Sequence, residues 1–205
     1  NTFEVPWMVI NYGVRIDTRD KAYMPTSGYI SSFTQAIPLY ADSPYLGNKY
    51  AFSKYNAFGE DVIGTFKLYA VTINGFDGED VRLSKRTKIP RSRLRGFESG
   101  KVGPKDGTDY VGGNYATAIN LETNLPNLLP EASKTDVGLF LDFGNVWGVD
   151  YDSSIDNSNE IRSSAGLSAN WLSPIGPMSF ILSQNINKAS TDKTQSFAFN
   201  LGTSF

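Results

Sequence analysis

The sequence contains neither cysteine nor histidine. Disulfide frameworks, thiol nucleophiles, histidine general bases and the usual zinc sites are therefore excluded, and we expect no metal and no cofactor. No nucleophile–base pair stands out among the scattered carboxylates, so we expect no enzyme. A formal net charge of −2 argues against nucleic acid as a partner. No apolar run approaches the roughly 20 residues that a membrane-spanning helix needs.

Aromatic residues and glycine are plentiful instead, with 13 Phe, 11 Tyr and 19 Gly among 205 residues. Aromatic side chains favour strands, whereas glycine favours turns. The chain opens with Asn1-Thr2-Phe3 and without an initiator methionine. We interpret it as a processed protein or as a piece of a longer one.

About nine segments alternate apolar and polar residues with a period of two, which is the pattern of a strand with two different faces. Their lengths of roughly 9–11 residues suit tilted membrane strands. The polar face holds Gly, Ser, Asn and isolated charges, as in a barrel lumen; a soluble β-sandwich stays open as an alternative. The pattern predicts an all-β, antiparallel transmembrane β-barrel with strands at 7–17, 28–38, 50–58, 64–75, 115–123, 136–147, 161–171, 178–183 and 197–205.

One segment, residues 75–113, lacks strand periodicity and is far longer than the usual connection of about 4–6 residues. Such a segment is either functional or disordered. It is rich in Arg and Lys, and it contains the motif Arg93-Leu94-Arg95-Gly96-Phe97. A solvated basic loop would account for the charges, but not for a glycine and an aromatic residue directly after the arginine.

Several motifs together resemble the BamA family of outer-membrane β-barrel assembly factors, within the outer-membrane surface-antigen superfamily. The motif at 93–97 is similar to the family's Val-Arg-Gly-Phe loop motif, with Leu94 in place of the usual valine. The resemblance covers essentially the whole chain. It also rests on Gly103-Pro104-Lys105, Gly112-Gly113-Asn114, Asn120-Leu121-Glu122, the segments 141–147 and 171–177, and the aromatic C-terminal strand 197–205.

The resemblance implies that residues 1–205 are the C-terminal part, about nine strands, of a 16-stranded barrel. Residues 75–113 would then be a loop folded back into the lumen, and the N-terminal strands and POTRA domains would be absent. In the family the motif arginine, here Arg95, reaches acidic residues on the inner wall, here Glu122 and Asp142. Strand alternation independently assigns both carboxylates to the small, polar face.

The roles of the other motif residues follow from their chemistry. Gly96 would allow a tight backbone turn, and Phe97 would pack as an apolar anchor. Alternatives stay open at this point: Arg95 could be a solvated loop cation, Glu122 could pair with Lys67 or Arg162, and Asp142 could form a turn. A glycosidase-type pair of Glu122 and Asp142 is disfavoured because a nearby arginine would keep both ionised.

The last strand is expected to be a seam of the barrel, with a terminal aromatic residue that marks barrel proteins for assembly. Gly202 would allow this strand to bend, or it could simply be a small lumenal residue; Phe205 could also be an ordinary interfacial aromatic. The predicted seam residues are Phe197, Phe199, Leu201, Gly202 and Phe205. About nine strands would leave two open edges, which are costly in hydrocarbon. We therefore expect self-association through these edges, or closure as a barrel of ~8 strands.

The function implied by the resemblance is the folding and insertion of β-barrel proteins, by an integral protein of a Gram-negative outer membrane. Its expected partners are outer-membrane lipids, nascent β-barrel proteins and, in the intact complex, accessory assembly lipoproteins. A polypeptide-export pore of the same superfamily and a passive outer-membrane channel remain alternatives.

Overall fold

The computed structural model describes residues 8–40, 43–76, 78–155 and 160–202, and these form one sheet of nine antiparallel strands in chain order. A two-stranded hairpin, β5–β6, lies apart from the sheet, within the connection between β4 and β7. No helix in the described ranges is long and apolar enough to cross a membrane. The strands are β1 Met8–Asp17, β2 Gly28–Tyr40, β3 Tyr45–Ala57, β4 Ile63–Gly75, β5 Lys105–Asp106, β6 Asp109–Tyr110, β7 Tyr115–Leu125, β8 Thr135–Trp147, β9 Arg162–Ser173, β10 Gly176–Asn187 and β11 Phe197–Leu201.

The predicted all-β antiparallel fold is confirmed, and each predicted strand is present. Several strands run further than predicted: β2 continues through Pro38 to Tyr40, β7 to Leu125 and β9 to Ser173, and β3 and β10 differ most. β3 begins at Tyr45 because Gly47 and Asn48, which are common turn residues, pair in the ladder with β2. β10 continues to Asn187, paired with β9. The predicted strand ends at residue 7 and at residues 203–205, including Phe205, lie outside the described residues.

The two faces of the sheet differ in the way a membrane barrel requires. On β1 the apolar side chains from Met8 to Ile16 point outward and are 47–63% exposed. On β7 and β8 many inward side chains are small or polar and fully buried, such as Ala116, Asn120 and Asp142, each at 0%. An exposed apolar face and a buried polar face are the reverse of a soluble sandwich, and they indicate a wall whose outer side contacts lipid.

The core of the molecule lies between the inner face of the sheet and residues 76–114, which we call the long loop. Apolar side chains of this loop pack on inward residues of β4, β7 and β8. The long loop is therefore an ordered part of the fold. The buried cluster consists of Tyr69, Val71, Ile73, Val81, Ile89, Leu94, Phe97, Val102, Ala116, Ala118 and Val146.

The connections differ at the two ends of the sheet. At one end they span residues 18–27, 58–62, 126–134 and 174–175. At the other end they span residues 41–44, 148–161 and 188–196, together with the long loop. The long loop thus leaves the same end as the 148–161 and 188–196 connections, and it can contact both of them.

Within the described residues the sheet is open, because β1 and β11 do not pair with each other. The expected small barrel of ~8 strands is therefore wrong. The interior of an eight-stranded barrel is only wide enough for side chains, whereas here the inner face is covered by a folded loop. Self-association through the two edges stays a prediction.

Candidate functional site

The guanidinium of Arg95 lies against the inner face of β7 and β8, between two carboxylates. Its Nε and one terminal nitrogen donate to the two oxygens of Asp142 at 2.8 and 2.6 Å. The same terminal nitrogen lies 2.7 Å from Glu122 Oε1. The backbone N–H of Arg95 also donates to Asp142, at 3.0 Å. We call this contact of Arg95 with Glu122 and Asp142 the arginine latch; its fork geometry matches a carboxylate bidentately.

The register of three strands positions the latch. Asn120, Asp142 and Ser164 are direct neighbours across β7, β8 and β9, so all three point inward at one level. The Asn120 amide donates to Asp142 at 2.8 Å and to the carbonyl of Arg93 at 2.9 Å. The Ser164 hydroxyl donates to the carbonyl of Arg95. The loop backbone is therefore hydrogen-bonded to the wall at two carbonyls, that of Arg93 and that of Arg95.

The next level of the wall supplies the other side of the latch, because Glu122 is the direct neighbour of Phe140. The Phe140 ring centre lies 3.7 Å from Arg95 Cζ, which is a close cation–π contact. Gly166, the neighbour of Phe140 on β9, leaves space for this ring: a Cβ there would lie 2.7 Å from the ring's Cζ. The guanidinium is thus enclosed by charge on one side and by an aromatic face on the other.

Lys67 on β4 is a second cation at Glu122. Its Nζ lies 2.8 Å from Glu122 Oε2, so this carboxylate contacts Lys67 in addition to Arg95. Arg162, the other predicted candidate, pairs with Asp192 instead. Because Arg95 engages both carboxylates directly, the arrangement is suited to holding the loop in place and not to acid–base chemistry. No group of three metal-ligating side chains occurs in the described part of the chain.

The other motif residues fasten the loop around Arg95. Gly96 has φ +89°, and a Cβ there would lie 3.2 Å from the Cβ of Ser164. A side chain at this position would therefore meet both an unfavourable backbone conformation and the wall. Leu94 and Phe97 are 1% and 2% exposed and belong to the core. Arg93 is half-buried, with its Cζ 5.5 Å from the Tyr69 ring centre.

The predicted seam residues lie on an edge strand. Phe197, Phe199 and Leu201 of β11 point outward and are 45–62% exposed, and the Phe199 ring packs against Phe180 of β10 at 5.1 Å. Gly202 has φ +101° with open space where a Cβ would be, so its conformation favours glycine although its surroundings do not require it. Phe205 lies outside the described residues.

Sequence reasoning missed two further ion pairs, which lie around the long loop. Asp192 in the 188–196 connection pairs with Arg162, and both side chains are fully buried. Arg86 of the long loop pairs with Asp150 in the 148–161 connection. Burial raises the pKa of Asp150, but hydrogen bonds from the N–H of Val81 and from Asn114 and the charge of Arg86 outweigh this and keep it below its usual value. Of the four residues in these pairs, only Arg162 lies on an alternating strand, so only its inward position could be predicted from the sequence.

An antiparallel sheet with an apolar outer face, a polar inner face and a long loop tied inside defines the class: part of the wall of an outer-membrane β-barrel. The model of the Omp85 superfamily domain matches residues 7–205. The chain belongs to the Omp85 superfamily.

Proteins similar to this chain carry a more specific name. The outer membrane protein assembly factor BamA of Neisseria meningitidis is 28% identical, over 91% of this chain and 27% of its own length. The protein of the same name from Neorickettsia risticii is 23% identical, over 96% of this chain and 27% of its own length. The chain thus spans about a quarter of the length of these curated relatives.

A solved structure agrees with the fold. The crystal structure of BamA from Haemophilus ducreyi lacking POTRA domains 1–3 superimposes with a TM-score of 0.84 at 24% identity, covering 93% of this chain and 41% of that one. Together with the sequence relatives, it confirms the predicted resemblance to a portion of a BamA barrel. The predicted location, integral to a Gram-negative outer membrane, is confirmed as well.

Proposed function

We propose that this chain is the C-terminal barrel portion of an outer-membrane protein assembly factor, which folds and inserts β-barrel proteins as part of a longer protein. The observation that carries the proposal is the arginine latch. It holds the motif of the long loop against the inner wall, in a chain whose relatives are named assembly factors. In this proposal residues 75–113 are the lumenal loop, and the remaining strands and POTRA domains belong to other parts of the longer protein.

The role of the latch in this function is to hold the loop in one position. Arg95 is 7% exposed and Asp142 is fully buried, so each charge depends on the other for compensation. Removing one partner of such a pair is strongly destabilising because the remaining charge is left buried and alone. The long loop would therefore stay folded inside while the outer surface of the barrel contacts lipid.

The edge strand β11 is where we place the nascent β-barrel client. Its ladder to β10 uses one edge, and the other edge carries backbone groups that no strand among the described residues pairs with. Such an edge is a template for an incoming strand, which gains main-chain hydrogen bonds there. The same chemistry would let a second copy of this chain associate, and accessory assembly lipoproteins would act on the intact complex.

Enzymatic chemistry is not part of the proposal. The two acidic side chains nearest the motif both contact Arg95, and the relatives are named as assembly factors. An export pore or a passive channel is disfavoured because the long loop packs over the inner face of the sheet.

The proposal is tested with Arg95→Ala in the full-length protein, reconstituted in liposomes with a β-barrel client. We expect the client's insertion rate to fall at least about tenfold, because the buried carboxylates lose their partner and the loop is no longer held against the wall. Arg95→Lys, which keeps the charge but not the bidentate fork, should lie between the wild type and Arg95→Ala. The matched control is Arg15→Ala, because Arg15 also lies on the inner face but is 62% exposed. Insertion at the wild-type rate by a folded Arg95→Ala protein would remove the functional assignment.

A further inference from the structure

Asp192 connects three segments of the chain at a fully buried position. Its two oxygens accept from Arg162 Nε at 2.8 Å and from a terminal nitrogen of Arg162 at 3.0 Å, and both side chains are 0% exposed. It also accepts from the N–H groups of Ala189 at 2.8 Å and Gly103 at 3.4 Å. We call this group the Asp192 junction. It joins β9, the long loop and the 188–196 connection that leads into β11.

Backbone hydrogen bonds extend the junction toward the arginine latch. The N–H of Gln195 donates to the carbonyl of Gly96 at 2.9 Å, and the N–H of Glu98 donates to the carbonyl of Lys193 at 3.0 Å. Phe97 and Thr194 form an isolated β-bridge between these bonds. The residues that directly follow the latch arginine are therefore paired, strand to strand, with the residues that precede β11.

Among the described residues the last strand is paired along one edge only. β11 has five residues, Phe197–Leu201, and its only neighbour in the described sheet is β10. The N–H of Ser183 on β10 donates to the carbonyl of Ser196, one residue before β11 begins. A short edge strand with one neighbour opens at low free energy unless an end is fixed. Here the fixed end is the one beside the Asp192 junction.

We infer that Asp192 and Arg162 are positioning residues that couple the long loop to the edge strand. While the arginine latch is closed, the junction keeps the Phe197 end of β11 against β10. When the latch opens, the paired segment 193–195 loses its partner and β11 is released as an edge for an extended polypeptide. Only this last step, the use of the edge by a client strand, rests on the proposed function.

Hydrogen exchange of the full-length protein in lipid nanodiscs tests the coupling without any client. Asp192→Asn should accelerate amide exchange in β11 at least about tenfold while leaving β1–β3 within about twofold of wild type. Arg95→Gln should accelerate β11 in the same way. The double variant should be no faster than the faster single variant, because both changes open one element. Asp17→Asn, at a carboxylate that pairs with Arg15 and Arg19 on β1, is the matched control and should leave β11 unchanged.

Two further variants separate positioning from general destabilisation. Arg162→Gln with Asp192→Asn offers an uncharged hydrogen-bonded pair, and it should restore slow exchange of β11. Gln195→Pro removes the N–H that donates to Gly96 without altering a charge, and it should release β11 even where Asp192→Asn fails to fold. Unchanged β11 exchange, equal acceleration in all strands, or additive effects of Arg95→Gln and Asp192→Asn would each overturn the coupling. Because this readout involves no insertion, the coupling and the proposed function can fail separately.

Discussion

The strands β1 and β2 and the strands β4, β7, β8 and β9 share one alternation but differ in what covers their inner face. In the second group the long loop lies on that face, and inward residues such as Ala116 and Asp142 are 0% exposed. In β1, which lies away from the loop, inward Arg15 is 62% exposed. Alternation therefore decides which side chains face inward, whereas the loop decides which of them become buried.

The ion pairs of the two regions differ accordingly. At the end of β1, Asp17 is 32% exposed and pairs with Arg15 at 3.1 Å and with Arg19 of the next connection at 2.8 Å. Exposed pairs of this kind contribute little to stability. Between the loop and the wall, Arg95 and Asp142 are shielded from solvent, and loss of either would leave a buried charge. We conclude that sensitivity to the loss of one ion-pair partner is concentrated under the long loop.

The largest expected effect is that of Asp142→Ala. This change removes the acceptor of four hydrogen bonds, three from Arg95 and one from Asn120, and leaves the guanidinium with Glu122 alone. We expect the free energy of unfolding to fall by about 3–5 kcal/mol. The measurement is urea unfolding of the protein in lipid vesicles, followed by tryptophan fluorescence.

The matched variant is Asp17→Ala, because Asp17 is also an inward carboxylate that contacts arginine but is 32% exposed. Its loss of stability should be a small fraction of that of Asp142→Ala. Equal losses for the two variants would show that burial under the long loop does not raise the cost of losing an ion-pair partner, and the comparison between the two regions would fail.

Much of the sheet could be predicted from the sequence because a period of two is a local signal. Each of the nine strands of the sheet is predicted, whereas β5 and β6 are not; the parity of Glu122 and Asp142 assigns both to the inner face, where the structure has them. The partner of these carboxylates, Arg95, came from the motif and its family resemblance. Periodicity alone could not have selected it from the other cations of the long loop.

Contacts between loops could not be predicted in this way. Arg86 and Asp150 are 64 positions apart, and each lies in a segment without periodicity. The same holds for Asp192, whose partners lie on β9 and in the long loop. The start of β3 was missed for a related reason: Gly47 and Asn48 are locally turn residues, and only pairing with β2 and β4 makes them part of a strand.

A smaller effect is expected for Gly96→Ala. Gly96 has φ +89°, and a Cβ would lie 3.2–3.3 Å from atoms of Ser164, Ser183 and Asn185. Gly59 has φ +90° with no atom within 4 Å of a Cβ position, so Gly59→Ala isolates the backbone strain. We expect Gly96→Ala to cost about 1–3 kcal/mol and Gly59→Ala to lie near the lower end of that range, in the same unfolding experiment. If the two variants lose the same stability, the tight fit of the motif against the wall is not a constraint.

The smallest expected effect is that of Lys67→Gln, which tests how Glu122 is compensated. Lys67 lies 2.8 Å from one oxygen of Glu122, and Arg95 lies 2.7 Å from the other. Because Arg95 stays in place, and because Lys67 is 21% exposed, we expect a loss below about 1 kcal/mol that shrinks further at high salt. The control is Lys54→Gln, because Lys54 is exposed on the outer face of β3, away from Glu122. A loss as large as that of Asp142→Ala would mean that Glu122 depends on the wall cation and not on the loop, and the arginine latch would then reduce to its contact with Asp142.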